Sequence, residues 1–175
     1  ILIMLPEIAL TEAVLSRLEK RFGSQPALWH SGAGPKNRRR AWREIAEGRA
    51  RIVVGARSAL FLPFPNLKMI IVDEEHDPTY KQGEGLHYQA RDLAVVRAKL
   101  EGANVILASA TPSLESLTNA QAGRYVHVRL PARPGAAILP TVDTIDLRET
   151  PAEDGRWLSP PLIDAMRDTL ERGEQ

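Results

Sequence analysis

Short runs of aliphatic, often β-branched residues occupy 1–5, 27–30, 51–54, 69–72, 104–108 and 125–130, the pattern of strands buried on both faces. Longer stretches with helical spacing separate them: 11–22, where Leu15, Leu18 and Phe22 share a face, then 36–47, 90–100 and 113–122. This alternation predicts an α/β fold, a mainly parallel sheet with helices on both sides. Ligands of such sheets bind at the carboxyl ends of the strands. Each of the first five runs is followed there by a polar signature: "PEIALT" (6–11), "HSGAG" (30–34), "GARSALF" (55–61), "DEEHD" (73–77) and "SATPS" (109–113). All five are expected along one edge of the sheet.

From Pro131 the texture changes. The stretch "PARPGAAILP" (131–140) has the composition of a linker, expected over 131–143. Beyond it, "TVDTIDL" (141–147) reads as a short strand. Residues 159–173 read as a helix with Ser159 as N-cap, prolines in its first turn and Gly173 past its end. This tail, 144–175, is expected to begin a second domain. The opening apolar run is broken by Pro6 and Glu7 before it could span a membrane or serve as a signal, and both ends suggest an excerpt of a longer protein.

Composition narrows the chemistry. With 43% apolar residues in 175 the chain can bury a core, and a net charge of +1 announces no nucleic-acid partner by itself. The basic cluster of Lys36, Arg38, Arg39, Arg40, Arg43, Arg49 and Arg51 is local. On a helix over 36–47, Ala41, Trp42, Ile45 and Ala46 form the apolar side and most of the cations face water. Cysteine is absent, which excludes disulfides and thiolate zinc sites within these residues.

The acidic stretch is the most demanding signature. Asp73, Glu74 and Glu75 follow one another, then His76 and Asp77, and crowded carboxylates need either water or a cation. A pair of them at the end of a buried strand suits nucleotide hydrolysis. Asp73 would hold magnesium through water, and Glu74 would orient and deprotonate the attacking water. Glu75 and His76 are placed to relay the nucleotide state to neighbouring loops. The alternative is a strand ending in a solvated acidic turn. Ser109 and Thr111, at the next strand end, either hydrogen-bond this cluster or only cap the following helix.

"DEEH" followed by "SATP" resembles the motif II and motif III pair of superfamily 2 helicases. "PEIALT", "HSG", "GARSALFLPF", "IIVDEEHDPTYKQ", "YQARDLAVVRA" and "ATPSLES" resemble, in order and spacing, the primosomal replication-restart branch of that superfamily. The resemblance implies a three-layer RecA-like P-loop NTPase lobe over 1–130, truncated at its N-terminus, with the start of a second lobe over 144–175. It further implies an ATP-dependent helicase that moves 3′ to 5′ on single-stranded DNA and restarts stalled or collapsed replication forks. Its setting would be the bacterial cytoplasm, at the nucleoid and with no membrane. Single-stranded and forked DNA, primosome proteins and single-stranded DNA-binding protein are the implied partners, ATP and magnesium the implied cofactors. Zinc is expected only in an absent downstream part.

On this resemblance Asp73, Glu74 and His76 are catalytic, while Ser109, Thr111 and Glu75 couple hydrolysis to movement. Pro6, Glu7 and Thr11 lie in one DNA-contacting motif, and Gly55, Arg57 and Ser58 in the next. Residues 80–92 resemble an aromatic-rich loop in which Tyr80 and Tyr88 stack on bases, with Lys81 beside them; the alternative is a surface loop whose tyrosines pack on the domain. No "GK[ST]" phosphate-binding loop occurs in the chain, so these residues alone are expected not to hydrolyse ATP. Two other readings stand beside the motor: a metal-dependent hydrolase using Asp73, His76, Asp77 and His87, and a noncatalytic DNA-binding or docking domain derived from a helicase lobe.

Overall fold

The computed structural model describes residues 1–6, 9, 11–131 and 141–173. Two compact units are present, Ile1–His127 and Val128–Gln175. The first holds five parallel strands: β1 (Leu2–Met4), β2 (Ala27–Trp29), β3 (Val53–Gly55), β4 (Met69–Val72) and β7 (Asn104–Leu107), in the spatial order β2-β3-β1-β4-β7. A two-residue antiparallel hairpin, β5 (Lys81–Gln82) with β6 (Tyr88–Gln89), stands apart from this sheet. Around the sheet run α1 (Glu12–Phe22), α2 (Pro35–Ala46), α3 (Ala90–Glu101) and α4 (Leu114–Gln121).

Strand residues alternate between the two faces, and each face buries its own core. Leu2, Met4, Val53, Ile70 and Val72 pack with Ile45 of α2 and Ala90, Ala94 and Ala98 of α3. Ile3, Leu5 and Val54 pack on the other face with Val14, Leu15 and Leu18 of α1. Three layers result, as the run-and-helix pattern predicts. Phe22, expected on the apolar face of α1, is 45% exposed.

Local chemistry sets the helix boundaries. The Thr11 side chain accepts a hydrogen bond from the Val14 amide at the start of α1, and Gly23 ends the helix in the left-handed region. Pro35 opens α2, where a missing amide hydrogen costs nothing. Arg97 of α3 donates to the carbonyls of Leu60 and Leu62, which ties α3 to the 3-10 turn Arg57–Phe61 that follows β3.

Two expected strands do not form. Residues 125–130 are irregular, with Val126 91% exposed, and 141–147 carry no strand either. Neither finds a partner ladder among the described residues, and a strand exists only by pairing. At 146–148 Asp146 instead accepts the Arg148 amide at 2.9 Å and pairs with the Arg148 guanidinium, closing a turn. The predicted helix at the end of the second unit is present as α5 (Pro160–Glu171), although the Ser159 hydroxyl makes no capping bond. Most of the expected linker over 131–143 lies outside the described residues.

Candidate active site

Parallel register brings the five signatures to one edge. Met4 pairs with both Gly55 and Val72, Trp29 with Gly55, and Val72 with Leu107, so the strands end in one row. The Asp73 amide still donates to the Met4 carbonyl at 3.0 Å, and the Glu75 amide to the Ala108 carbonyl at 3.0 Å. The acidic stretch is thus pinned between its two neighbouring strands.

Within it the chain turns sharply. Glu74 has φ 47, the only positive φ outside glycine among the described residues, a conformation costing about 1–2 kcal/mol for an L-residue. The Asp73 Oδ1 accepts the Glu74 amide at 3.1 Å, and no described protein group bonds Oδ2. The Glu74 side chain is about half exposed and comes within 3.4 Å of His76 Nδ1. That same nitrogen lies 2.6 Å from the Ser109 hydroxyl, which also accepts the Thr111 amide at 3.0 Å. His76 and Ser109 thereby join the ends of β4 and β7. No hydrogen bond to the Thr111 hydroxyl is present among the described residues, and Thr111 is exposed.

Glu75 behaves differently from its neighbours. It is 1% exposed, and its two oxygens accept four bonds. The Ser113 amide donates at 2.7 Å, the Ser113 hydroxyl at 2.9 Å, the Ser116 hydroxyl at 2.9 Å and Arg91 Nη1 at 3.3 Å. Burial alone would raise its pKa, but the bonds from Ser113 and Ser116 and the nearby Arg91 outweigh it and hold the carboxyl below its ordinary value. Arg91 is itself 5% exposed; its Nη1 donates to Ser113 at 2.7 Å and its Nε to Asp92 at 2.8 Å. The sequence patterns above assign no role to Arg91 or Ser116. A usable signal existed: a cation in the first turn of α3 opposes the helix dipole and demands anions nearby.

Tyr80 corrects the aromatic-loop expectation. It is 1% exposed, and its hydroxyl donates to the carbonyls of Met4 at 3.0 Å and Asp73 at 2.7 Å. The ring sits under the strand ends, with no open face for a base. Burial and the charges of Asp73, Asp77 and Glu74 push its phenol far above its ordinary pKa, so it remains a donor. Tyr88 does stay near the surface, its ring edge-on to Phe61 with centroids 5.2 Å apart, and Lys81 is exposed.

The motifs after β1 and β3 are mostly occupied by structural duties. Pro6 is buried, and Glu7 lies outside the described residues. Thr11 caps α1. Gly55 is buried, and a Cβ there would lie 2.5 Å from the Trp29 carbonyl oxygen and 2.6 Å from the Ala59 Cβ, so packing and not ligand contact requires glycine. Arg57 Nη1 donates to the carbonyls of Thr79 and Lys81, both at 3.0 Å. Ser58 accepts from the Trp29 indole at 3.1 Å while staying exposed. Beside them opens a cleft of about 490 Å³ whose walls include Arg38, Arg57, Ser58 and Tyr88, but neither Asp73 nor Glu74.

The donors at Asp73 suit a hard cation: carboxylate oxygen, one atom of it uncommitted, in a chain without thiols. The metal-hydrolase set does not assemble. No group of three or more His, Asp or Glu converges among the described residues, and Asp77 spends Oδ1 on the Thr79 amide and hydroxyl.

Residues 1–120 match the family model described as "DEAD/DEAH box helicase". The chain is similar to the "Replication restart protein PriA" of Rickettsia felis, 41% identical over 175 residues covering 100% of this chain and 27% of that protein. Its counterpart in Bacillus subtilis is 42% identical over 99% of this chain and 22% of that protein. That of Chlamydia pneumoniae is 45% identical over 99% of this chain and 24% of that protein. The chain spans about a quarter of the length of these relatives.

Proposed function

The chain belongs to the DEAD/DEAH box helicase family, and on that premise we propose that it is part of an ATP-driven 3′ to 5′ DNA helicase that restarts replication at stalled or collapsed forks. It would supply most of the first RecA-like motor lobe, 1–130, and the opening of the second, 144–175, joined by a linker over 131–143. Similarity to replication restart proteins along the whole chain supports the role. The observation that carries the chemistry is the pair Asp73 and Glu74 at the end of β4, latched to the end of β7 through His76 and Ser109 at 2.6 Å.

Asp73 would hold a magnesium ion, which when bound binds and polarises the phosphates of the nucleotide substrate. Glu74, turned outward by its left-handed backbone and half open to solvent, orients the attacking water and takes its proton on a carboxylate oxygen. His76 and Ser109, with Thr111 beyond them, pass changes at the acidic turn to the β7 end, and Glu75 passes them to α4. Single-stranded DNA would run along the cleft beside Arg57 and Ser58, with Tyr88 offering a stacking face and the exposed Lys81 a phosphate contact. Primosome proteins and single-stranded DNA-binding protein are the proposed partners, in a bacterial cytoplasm. Among the described residues no helix is long and apolar enough to cross a membrane.

Because no "GK[ST]" loop occurs here, these 175 residues alone should not turn over ATP. In the longer protein, Asp73→Asn should raise the magnesium concentration needed for half-maximal turnover about tenfold or more, as one charge is lost from the site. An unchanged magnesium requirement would remove Asp73 from that role.

A further inference from the structure

We propose that Arg91 is a positioning residue for hydrolysis: its buried guanidinium holds Glu75 and the start of α4 so that the adjoining Asp73–Glu74 turn keeps its working shape. The inference rests on the hydrolytic reading of Asp73 and Glu74.

The fold itself does not ask for a cation at this place. Ala90, Ala94 and Ala98 on the same helix are buried in the core, and burying a guanidinium beside them costs desolvation that an aliphatic side chain would avoid. A cation in the first turn of α3 also faces the unfavourable end of the helix dipole. Both penalties are offset at one point, where three elements meet. Arg91 Nη1 reaches Glu75 at 3.3 Å and Ser113 Oγ at 2.7 Å, with Glu115 at 3.7 Å, and Nε is held by Asp92 at 2.8 Å. Among the described residues it is the only cation paired with Glu75.

Glu75 follows Glu74 directly, and Glu74 stands in a left-handed conformation that an L-residue keeps only when its surroundings impose it. The imposing contacts are in view: the Glu75 amide on the Ala108 carbonyl, and the Glu75 carboxylate on Ser113, Ser116 and Arg91. Without Arg91 the buried carboxylate loses its counter-charge and one of its anchors and is free to move toward water, which releases the residue next to Glu74. Lysine is no substitute, since one ammonium cannot serve Asp92 on one side and Glu75 with Ser113 on the other.

The test uses the full-length protein that carries this chain, with DNA-stimulated ATP turnover and ATP-binding stoichiometry measured side by side. Arg91→Met should lower kcat by about ten- to a hundredfold, with KM for ATP within about threefold and the number of ATP sites unchanged. Adding Glu75→Gln, which removes the stranded charge, should recover part of kcat, about threefold or more. Arg91→Lys should show the same split with a smaller loss, and it decides the matter if Arg91→Met does not fold. An unchanged kcat, a loss matched by lost ATP sites, or a double variant no better than Arg91→Met would overturn the proposal. Glu74→Gln, run in parallel, separates the two failures: if it abolishes turnover while the Arg91 variants do not, only the role of Arg91 falls.

Discussion

The two halves of the strand-end row are built on different principles. After β4 and β7 the polar side chains bond mainly to one another: Glu75 to Ser113, Ser116 and Arg91, and His76 to Ser109. After β1 and β3 they bond mainly to the backbone or are buried: Arg57 on two carbonyls, Thr11 on an amide, Pro6 and Gly55 inside. The first half is a side-chain network that joins the ends of β4 and β7 to the starts of α3 and α4. The second is a rigid frame whose ligand-facing groups are those left over.

Substitutions can break or sharpen that contrast. The largest effect on stability is expected from the frame. Gly55→Ala places a Cβ against the Trp29 carbonyl and should cost about 1–3 kcal/mol in denaturant unfolding, the range for overpacking. Unchanged stability would mean that β2 and β3 can separate freely. The two tyrosines of the loop come next. Tyr88→Ala should weaken single-stranded DNA binding by about 1–3 kcal/mol through lost stacking. Tyr80→Phe should leave DNA affinity alone and cost about 1 kcal/mol of stability, from the bonds to Met4 and Asp73. Reversed outcomes for the pair, read by fluorescence anisotropy and melting, would put Tyr80 and not Tyr88 on the DNA. The smallest effect is that of Thr11→Ala, about 0.5–1 kcal/mol of stability from the lost cap, seen in the same melts. A large loss of DNA affinity with intact stability would instead make Thr11 a direct contact.

How much of this was legible in the sequence follows the same division. Five strands fall within a residue or two of their apolar runs, although only β1 and β3 are buried on both faces and β7 leaves Ile106 46% exposed. Runs 125–130 and 141–147 have similar composition but no ladder, and pairing cannot be read from composition. Asp73 and Glu74 stand where the spacing puts them, and the meeting of His76 with Ser109 follows from adjacent parallel strands ending in register. The partners of Glu75 were harder to read, since its bonds to Arg91, Ser113 and Ser116 span 16 to 41 positions and only the cation at the start of α3 points to them. Tyr80 misled for a related reason: an aromatic among polar neighbours reads as a surface ring, and only the carbonyls it reaches reveal that it is core.

The central claim is that Asp73 and Glu74 form a hydrolytic pair in which Glu74 activates water. Its most direct test is DNA-stimulated ATP turnover by the full-length protein carrying Glu74→Gln, with ATP and DNA affinities measured alongside. Turnover should fall by about a hundred- to ten-thousandfold while both affinities stay within about threefold. Near-normal turnover in that variant would contradict the account.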